Sequence, residues 1–447
     1  MPSGGHVPGP VPTPAAAART PEGTSAAAYR PALALLASLF FMWGFITVIN
    51  NTLLPHLRSV FELNYTQTTL IESTWFVGYL IASIPAAKLI ERIGYQKALV
   101  VGLGVMTAGS LGMILAAALP SYGVTLASLF TVSCGIALLQ VAANPYVAVI
   151  GPPESSESRL TLVQAFNTTG DVLAIVFGRY LILGRTTAGT SVEGVHLSYA
   201  QRMADAQATK LPYLIVAIVL ALLTIVIARA RLPALGAAAR RANAEERRHL
   251  SLWRHRNLVF GCGAIFLYVL AEIGVGNLFI NFASQPSIAN ITHEQAAFYL
   301  TFVWGGMMVG RFAGAFIMRR FAPEKVLAVF ALGALVSALV ATFVQGPGAM
   351  YGLIAIGLFH SIMFPTIFAL AIRGLGPLTE EGSGLLIMSI AGGALVFIQG
   401  NVADRYGIQW AFIVTALCEL YVLFYALWGY RTSGAQAVPA LEPKPAE

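Results

Sequence analysis

The side chains best able to do chemistry in this chain are carboxamides and acids set inside long apolar runs. Gln164, Asn167 and Asp171 follow at i, i+3 and i+7, so on a helix all three project from one face. Gln140 and Asn144 form an i, i+4 pair in the preceding run, and Asn51 stands in the first run. A carboxamide brings donors and an acceptor but carries no titratable proton. Asp171 and Glu272 do titrate, and either can serve as a proton or sodium site. Each has a structural alternative: for Asp171 a pair with Arg179, although eight residues of helix span about 12 Å, and for Glu272 an interhelical hydrogen bond. Tyr268, Glu272 and Gly276 share a face, with Asn277 and Asn281 close by. No Gly-rich phosphate loop, metal-spaced His/Cys set or Ser/His/Asp arrangement accompanies these residues. The chain therefore reads as no enzyme, with no metal and no cofactor.

The elements that must position these residues are membrane spans. Of 447 residues 57% are hydrophobic, against 27 Lys and Arg and 20 Asp and Glu. At roughly 20 apolar residues per spanning helix, that composition fills about twelve spans and excludes an ordinary soluble protein. Apolar runs fall at 32–54, 69–89, 97–118, 123–150, 159–184, 211–229, 257–282, 296–318, 325–346, 349–372, 382–403 and 407–430. The predicted organisation is a disordered tail over 1–31, a six-helix half over 32–229, a basic linker over 230–256, a second six-helix half over 257–430 and a disordered tail over 431–447. The linker segment can lie on an anionic leaflet or simply join the halves. Tails and loops on the linker side hold 20 of the 27 basic residues and the opposite loops five, which makes the tails and linker cytoplasmic. The net charge of +7 thus serves orientation in lipid, and a nucleic-acid partner is not expected. Cys134, Cys262 and Cys418 all sit in apolar runs, and an odd count so placed argues against a disulfide framework.

The two halves repeat each other. Phe41-Met42-Trp43 lies opposite Phe266-Leu267-Tyr268, Lys97-Ala98-Leu99 opposite Lys325-Val326-Leu327, Gly78 opposite Gly306, and Pro145 opposite Pro365. Gly151-Pro152, Ser158 and Leu160 match Gly376-Pro377, Ser383 and Leu385, all at offsets between 220 and 228. Glu272 then falls opposite Thr47, and His360 opposite Gln140. Two six-helix repeats facing each other across a central site is a transporter architecture. His360 can titrate near neutral pH or act as a plain hydrogen-bond donor.

The stretch Ala86-Ala87-Lys88-Leu89-Ile90-Glu91-Arg92-Ile93-Gly94-Tyr95-Gln96-Lys97 resembles the major facilitator superfamily signature. Gly94 allows a tight turn, and Glu91, Arg92 and Lys97 can pair across the cytoplasmic seam and loosen when the halves rock. A degenerate copy runs from Gly310 and Arg311 to Arg319, Arg320 and Lys325, which places Arg311 in the same charge seam. More specific are Asn50-Asn51-Thr52-Leu53-Leu54-Pro55-His56-Leu57, Leu139-Gln140-Val141-Ala142-Ala143-Asn144-Pro145-Tyr146 and Leu162-Val163-Gln164-Ala165-Phe166-Asn167. These resemble the fucose:proton symporter branch, and within it the glucose/galactose transporter type.

The resemblance implies an all-α, twelve-helix major facilitator fold and hexose uptake across an inner membrane, with a sugar as substrate, lipid as surroundings and a monomer as working unit. The fucose permease pattern has an aspartate where Asn51 stands and a glutamate where Gln140 stands, acids associated with proton translocation and sugar binding. Neither amide can carry a proton. The family more often has an uncharged residue at the position of Asp171, so Asp171 is the candidate replacement, with Glu272 second. The coupling ion is H⁺ or Na⁺. Sugar hydroxyls call for amides and sugar C–H faces for an aromatic platform. The predicted sugar site is therefore Asn51, Gln140, Asn144, Gln164, Asn167, Glu272, Asn277 and His360, with Trp43 as stacking partner. Trp75, Tyr268 and Trp304 are further aromatic options, though a single Trp in a membrane helix also serves as packing or an interface anchor. Glu72, in the second run behind a capping-box-like Asn64-x-x-Gln67, and Glu419, on the last helix, are set aside as structural. An uncoupled uniporter, a drug exporter of the same fold and a sugar-binding sensor are the alternatives.

Overall fold

The structure is a computed structural model that describes residues 26–61, 65–118, 121–181, 207, 209–230, 232 and 251–432. Residues 1–25 and 433–447 of the expected tails, most of the linker and the side chains of Asn51, Asn64, Gln67, Glu72 and Arg179 lie outside the described residues, while residues 26–31, expected as tail, are the first turns of α1. The N-terminal half contains α1 (Ala26–Phe61), α2 (Tyr65–Ile93), α3 (Tyr95–Ala118), α4 (Tyr122–Val149), α5 (Ser156–Leu181) and α6 (Lys210–Arg229). The C-terminal half contains α7 (Arg256–Ala283), α8 (His293–Ile317), α9 (Pro323–Phe343), α10 (Pro347–His360), α11 (Met363–Ala371), α12 (Thr379–Met388), α13 (Phe397–Tyr406) and α14 (Phe412–Phe424). Among the described residues, ten helical stretches are long and apolar enough to cross a membrane. The two remaining long helices, α2 and α5, are described only in part, and α5 carries Gln164, Asn167 and Asp171.

Local chemistry sets the ends of these helices. The Ser121 hydroxyl caps α4, and Thr292 and Gln295 form a reciprocal capping box at the start of α8, satisfying backbone N–H groups that have no partner inside the helix. At the linker face, Arg159 donates to the carbonyls of Val147 and Ala148 in the last turn of α4 and of Pro152 just beyond it. Asn257 does the same for Leu370 and Ala371 at the end of α11 and for Arg373 beyond it. Gly94 joins α2 to α3 with φ of 86°, a conformation that favours glycine, as the tight-turn reading required.

The repeat extends to packing. Gly78 of α2 lies against Ser133 of α4, and Gly306 of α8 against the Leu358 backbone of α10, so that a Cβ at either glycine would crowd its neighbour. Gly44 and Gly170 let α1 and α5 approach to backbone contact in the same way.

Two crossings depart from the unbroken helices that the apolar runs predict. The tenth is interrupted at Ser361 and Ile362, between α10 and α11, and the eleventh passes through a 3₁₀ stretch at Ser389–Val396 between α12 and α13. Pro365 explains the first break: its ring has no N–H and clashes with the carbonyl four residues back, which is that of Ser361. Pro145 has the same relation to Val141, yet α4 continues through it. In both places the released carbonyl finds a side-chain donor. Ser383 Oγ donates to the Val141 carbonyl at 3.1 Å, and Arg311 Nε to the Ser361 carbonyl at 3.1 Å.

Contacts between the halves gather at the linker face. Ser158 Oγ of α5 donates to the Ala315 carbonyl of α8 at 2.5 Å. Gly384 of α12 lies on Ala87 and the Ser83 carbonyl of α2. Arg373, just beyond α11, grips the fully buried Glu157 carboxylate through Nε at 2.8 Å and Nη2 at 2.6 Å. Among the described residues, no side-chain hydrogen bond joins the halves nearer the opposite face.

Candidate functional site

The carboxamides of α4 and α5 come together. Gln164 Nε2 donates to Asn144 Oδ1 at 3.3 Å, and Gln140 Nε2 donates to the Tyr79 hydroxyl at 2.6 Å. Asn167 Nδ2 donates to the Phe40 carbonyl of α1 at 2.9 Å. All four are buried. These bonds leave Gln140 Oε1 and Asn144 Nδ2 buried with no hydrogen-bond partner, a situation that costs about 1–3 kcal/mol per group. One is an acceptor and the other a donor, one helical turn apart on α4. Together they can serve an uncharged hydroxyl-bearing ligand, whose groups both give and take hydrogen bonds.

Asp171 follows along α5. Its carboxylate packs on Gly44 of α1, where a Cβ would come within 2.7 Å of Oδ1. Asp171 lies within electrostatic range of Arg311 and Glu272, so this acid of the N-terminal half faces across to the C-terminal half. Arg311 is 6% exposed. Its Nε holds the Ser361 carbonyl, while Nη1 donates to the Gln164 carbonyl at 3.1 Å and to the Thr168 hydroxyl. Expected in the charge seam of the signature motif, Arg311 is a buried bridge from α8 into α5. Glu272 is within hydrogen-bond reach of Tyr268, whose hydroxyl also donates to the His360 carbonyl at 3.3 Å.

Other expected site residues sit elsewhere. Trp43 is 7% exposed and packs on Phe40 with ring centroids 4.9 Å apart, so it is a core side chain and not an open stacking platform. Asn277 is exposed and makes no hydrogen bond among the described residues; the line of α7 beside it is covered by Trp304, which stands over Gly276. His360 pairs with Glu419 at 2.8 Å, so this acid, set aside as structural, is the partner of an expected site residue. Arg92 and Lys97 are exposed and form no ion pair among the described residues, so they do not make the expected cross-seam pairing. Glu157 and Arg373 do, and only the repeat match at neighbouring Ser158 pointed toward that corner. Tyr79 was invisible as a site residue because nothing in the sequence shows that α2 delivers it to Gln140.

Residues 34–396 match the family model described as Major Facilitator Superfamily. The chain belongs to the Major Facilitator Superfamily. A glucose/galactose transporter of Brucella abortus biovar 1 (strain 9-941) is 43% identical over 412 residues, covering 92% of this chain and 97% of that one. The L-fucose-proton symporter of Escherichia coli (strain K12) is 34% identical over 410 residues, covering 90% and 93%. Among solved structures, the superfamily transporter FucP in the outward conformation superposes with a TM-score of 0.79 at 33% identity, over 90% of this chain and 99% of that one. This superfamily member is a multi-pass membrane transporter and not an enzyme.

Proposed function

We propose that the protein imports a hexose by cation-coupled symport, its two halves rocking about a site between α4, α5, α7 and α8. The observation that carries this reading is the pairing of two unpartnered amide atoms on α4 with an adjacent cluster of two carboxylates and one guanidinium. Amides recognise hydroxyls without charge, as a neutral sugar needs. Asp171, Glu272 and Arg311 together carry one negative charge in excess, which a single H⁺ or Na⁺ cancels. A coupling ion shifts the equilibrium between states only through its differential affinity for them, and a cluster spanning both halves has the geometry for that. The names of the relatives support a glucose- or galactose-like substrate. The sealed linker face matches the outward conformation in which FucP is described. The distribution of basic residues supports an inner-membrane protein with both tails cytoplasmic.

Counterflow of radiolabelled hexoses into proteoliposomes tests the sugar site. The wild type is expected to exchange glucose or galactose. Gln140→Leu, which removes the free acceptor, should raise KM roughly tenfold or more, in line with about 1–3 kcal/mol for a lost buried partner. Tyr79→Phe, which removes only the group orienting Gln140, should have a smaller effect. Binding without exchange would indicate a sensor. Uptake that no ion gradient drives would indicate a uniporter, a reading favoured by the amides at Asn51 and Gln140.

A further inference from the structure

The C-terminal half contains a buried ionisable pair with no counterpart in the other half. His360 Nε2 and Glu419 Oε1 lie 2.8 Å apart, with side chains 2% and 0% exposed. The second carboxylate oxygen of Glu419 has no hydrogen-bond partner. With one proton between them the pair is neutral, whether written as imidazolium and carboxylate or as imidazole and carboxylic acid. Removing that proton strands a buried carboxylate, and adding a second leaves a buried cation, and both states are strongly disfavoured.

Its place in the fold gives the proton a consequence. His360 is the last residue of α10, at the break of the tenth crossing, and Glu419 lies on α14. The two carbonyls at that break are held by the same side chains that face the central acids: Tyr268 donates to the His360 carbonyl at 3.3 Å and Arg311 to the Ser361 carbonyl at 3.1 Å. The His360 ring also stands edge-on to Tyr268 at 5.4 Å. We propose that His360 and Glu419 are a positioning pair: by sharing one proton they clamp the break to α14. In doing so they fix where Arg311 and Tyr268 meet Asp171 and Glu272, and with it the affinity of that cluster for the coupling cation. The cation part rests on the symport reading above; the shared proton does not.

The titratable groups facing the pair are few. Tyr268 of α7 and Cys418 of α14 lie within electrostatic range of Glu419, and Tyr268 also of Glu272 and Arg311; Cys262 of α7, with Tyr421 and Tyr425 of the twelfth crossing, forms a neighbouring group. The packed helix α9 brings only Glu324 and Lys325, in its first turn at the linker face. Asp404 and Arg405 stand at the far end of α13.

The test uses the full-length protein, with uptake in proteoliposomes and unfolding midpoints in detergent. Both are followed from about pH 8 to 5.5, which brackets the histidine range. In Glu419→Gln, His360 has lost its counter-charge and gains a proton on acidification beside Arg311. Uptake and unfolding midpoint should then fall together on the acid side, with a several-fold rise in the cation KM and little change in sugar exchange. The double variant Glu419→Gln/His360→Gln has no titrating group there and should recover the wild-type profile. A Glu419→Gln profile parallel to the wild type in both measurements, or a double variant that keeps the acid limb, overturns the proposal. If the wild type itself shows no ion-driven uptake, the symport reading fails, and the unfolding midpoints still decide the pair.

Discussion

The two halves of this transporter descend from the same pattern and solve the same local problem differently. In α4 the carbonyl freed by Pro145 is taken by Ser383 of the other half, and the helix runs on. In the tenth crossing the carbonyl freed by Pro365 is taken by Arg311 of its own half, and the helix breaks. The chemistry divides along the same line. The N-terminal half presents neutral amides at Gln140, Asn144, Gln164 and Asn167, while the C-terminal half presents Glu272, Arg311, His360 and Glu419. Asp171 is the exception, an acid on the amide side that faces Arg311. In the proposed reading, recognition and charge handling fall to different halves and meet where Asp171 lies within electrostatic range of Arg311.

The largest effect should come from breaking that contact on the charged side. Arg311→Gln removes the only cation of the cluster among the described residues and leaves two carboxylates uncompensated. It should destabilise the protein by about 3–5 kcal/mol, the scale of a broken buried pair, and abolish uptake, as thermal unfolding and transport assays can show. Gly44→Ala tests the same contact from the other side. A Cβ would fall 2.2 Å from the Asn167 carbonyl and 2.7 Å from Asp171 Oδ1, so α1 and α5 must part, and coupling should suffer more than sugar exchange.

Smaller effects should sharpen the contrast between the two prolines. Ser383→Ala leaves the Val141 carbonyl without its donor from the other half and should weaken the sealed linker face by about 0.5–1.5 kcal/mol, seen as faster thiol labelling of a cysteine placed at that face. The smallest effect concerns the ion pair at the seam. Glu157 lies ahead of the apolar run of α5, and burial pushes its carboxyl above the usual range, more than Arg373 and the local hydrogen bonds lower it. A group that binds its proton more readily in the sealed state than in water favours that state as pH falls through its raised value. Labelling at the linker face should therefore slow modestly on mild acidification, and Glu157→Gln should remove that dependence.

Much of this was legible in the sequence, for identifiable reasons. Hydrophobic runs longer than a bilayer is thick, and repeat matches such as Gly78 with Gly306, are one-dimensional signals, and they carried the fold. Gln140 with Asn144, and Gln164 with Asn167 and Asp171, were legible because helical spacing alone puts them on common faces. Partners that depend on which helices meet were not. Glu419 reads as structural because nothing in the sequence shows that the break at His360 turns an imidazole toward it. Trp43 looked like a platform because its face also carries Thr47 and Asn50, but Phe40 packs over it. At the seam where Glu91, Arg92 and Lys97 are expected to pair, an ion pair across the halves is made by Glu157 and Arg373, residues 216 positions apart.

The claim that Asp171 couples the cation to the sugar is tested most directly in proteoliposomes loaded for uptake under separately imposed pH and Na⁺ gradients. The wild type should accumulate the hexose above equilibrium under one of the two gradients. Asp171→Asn should lose that accumulation while keeping sugar exchange at equilibrium. Concentrative uptake by Asp171→Asn equal to that of the wild type would contradict the account.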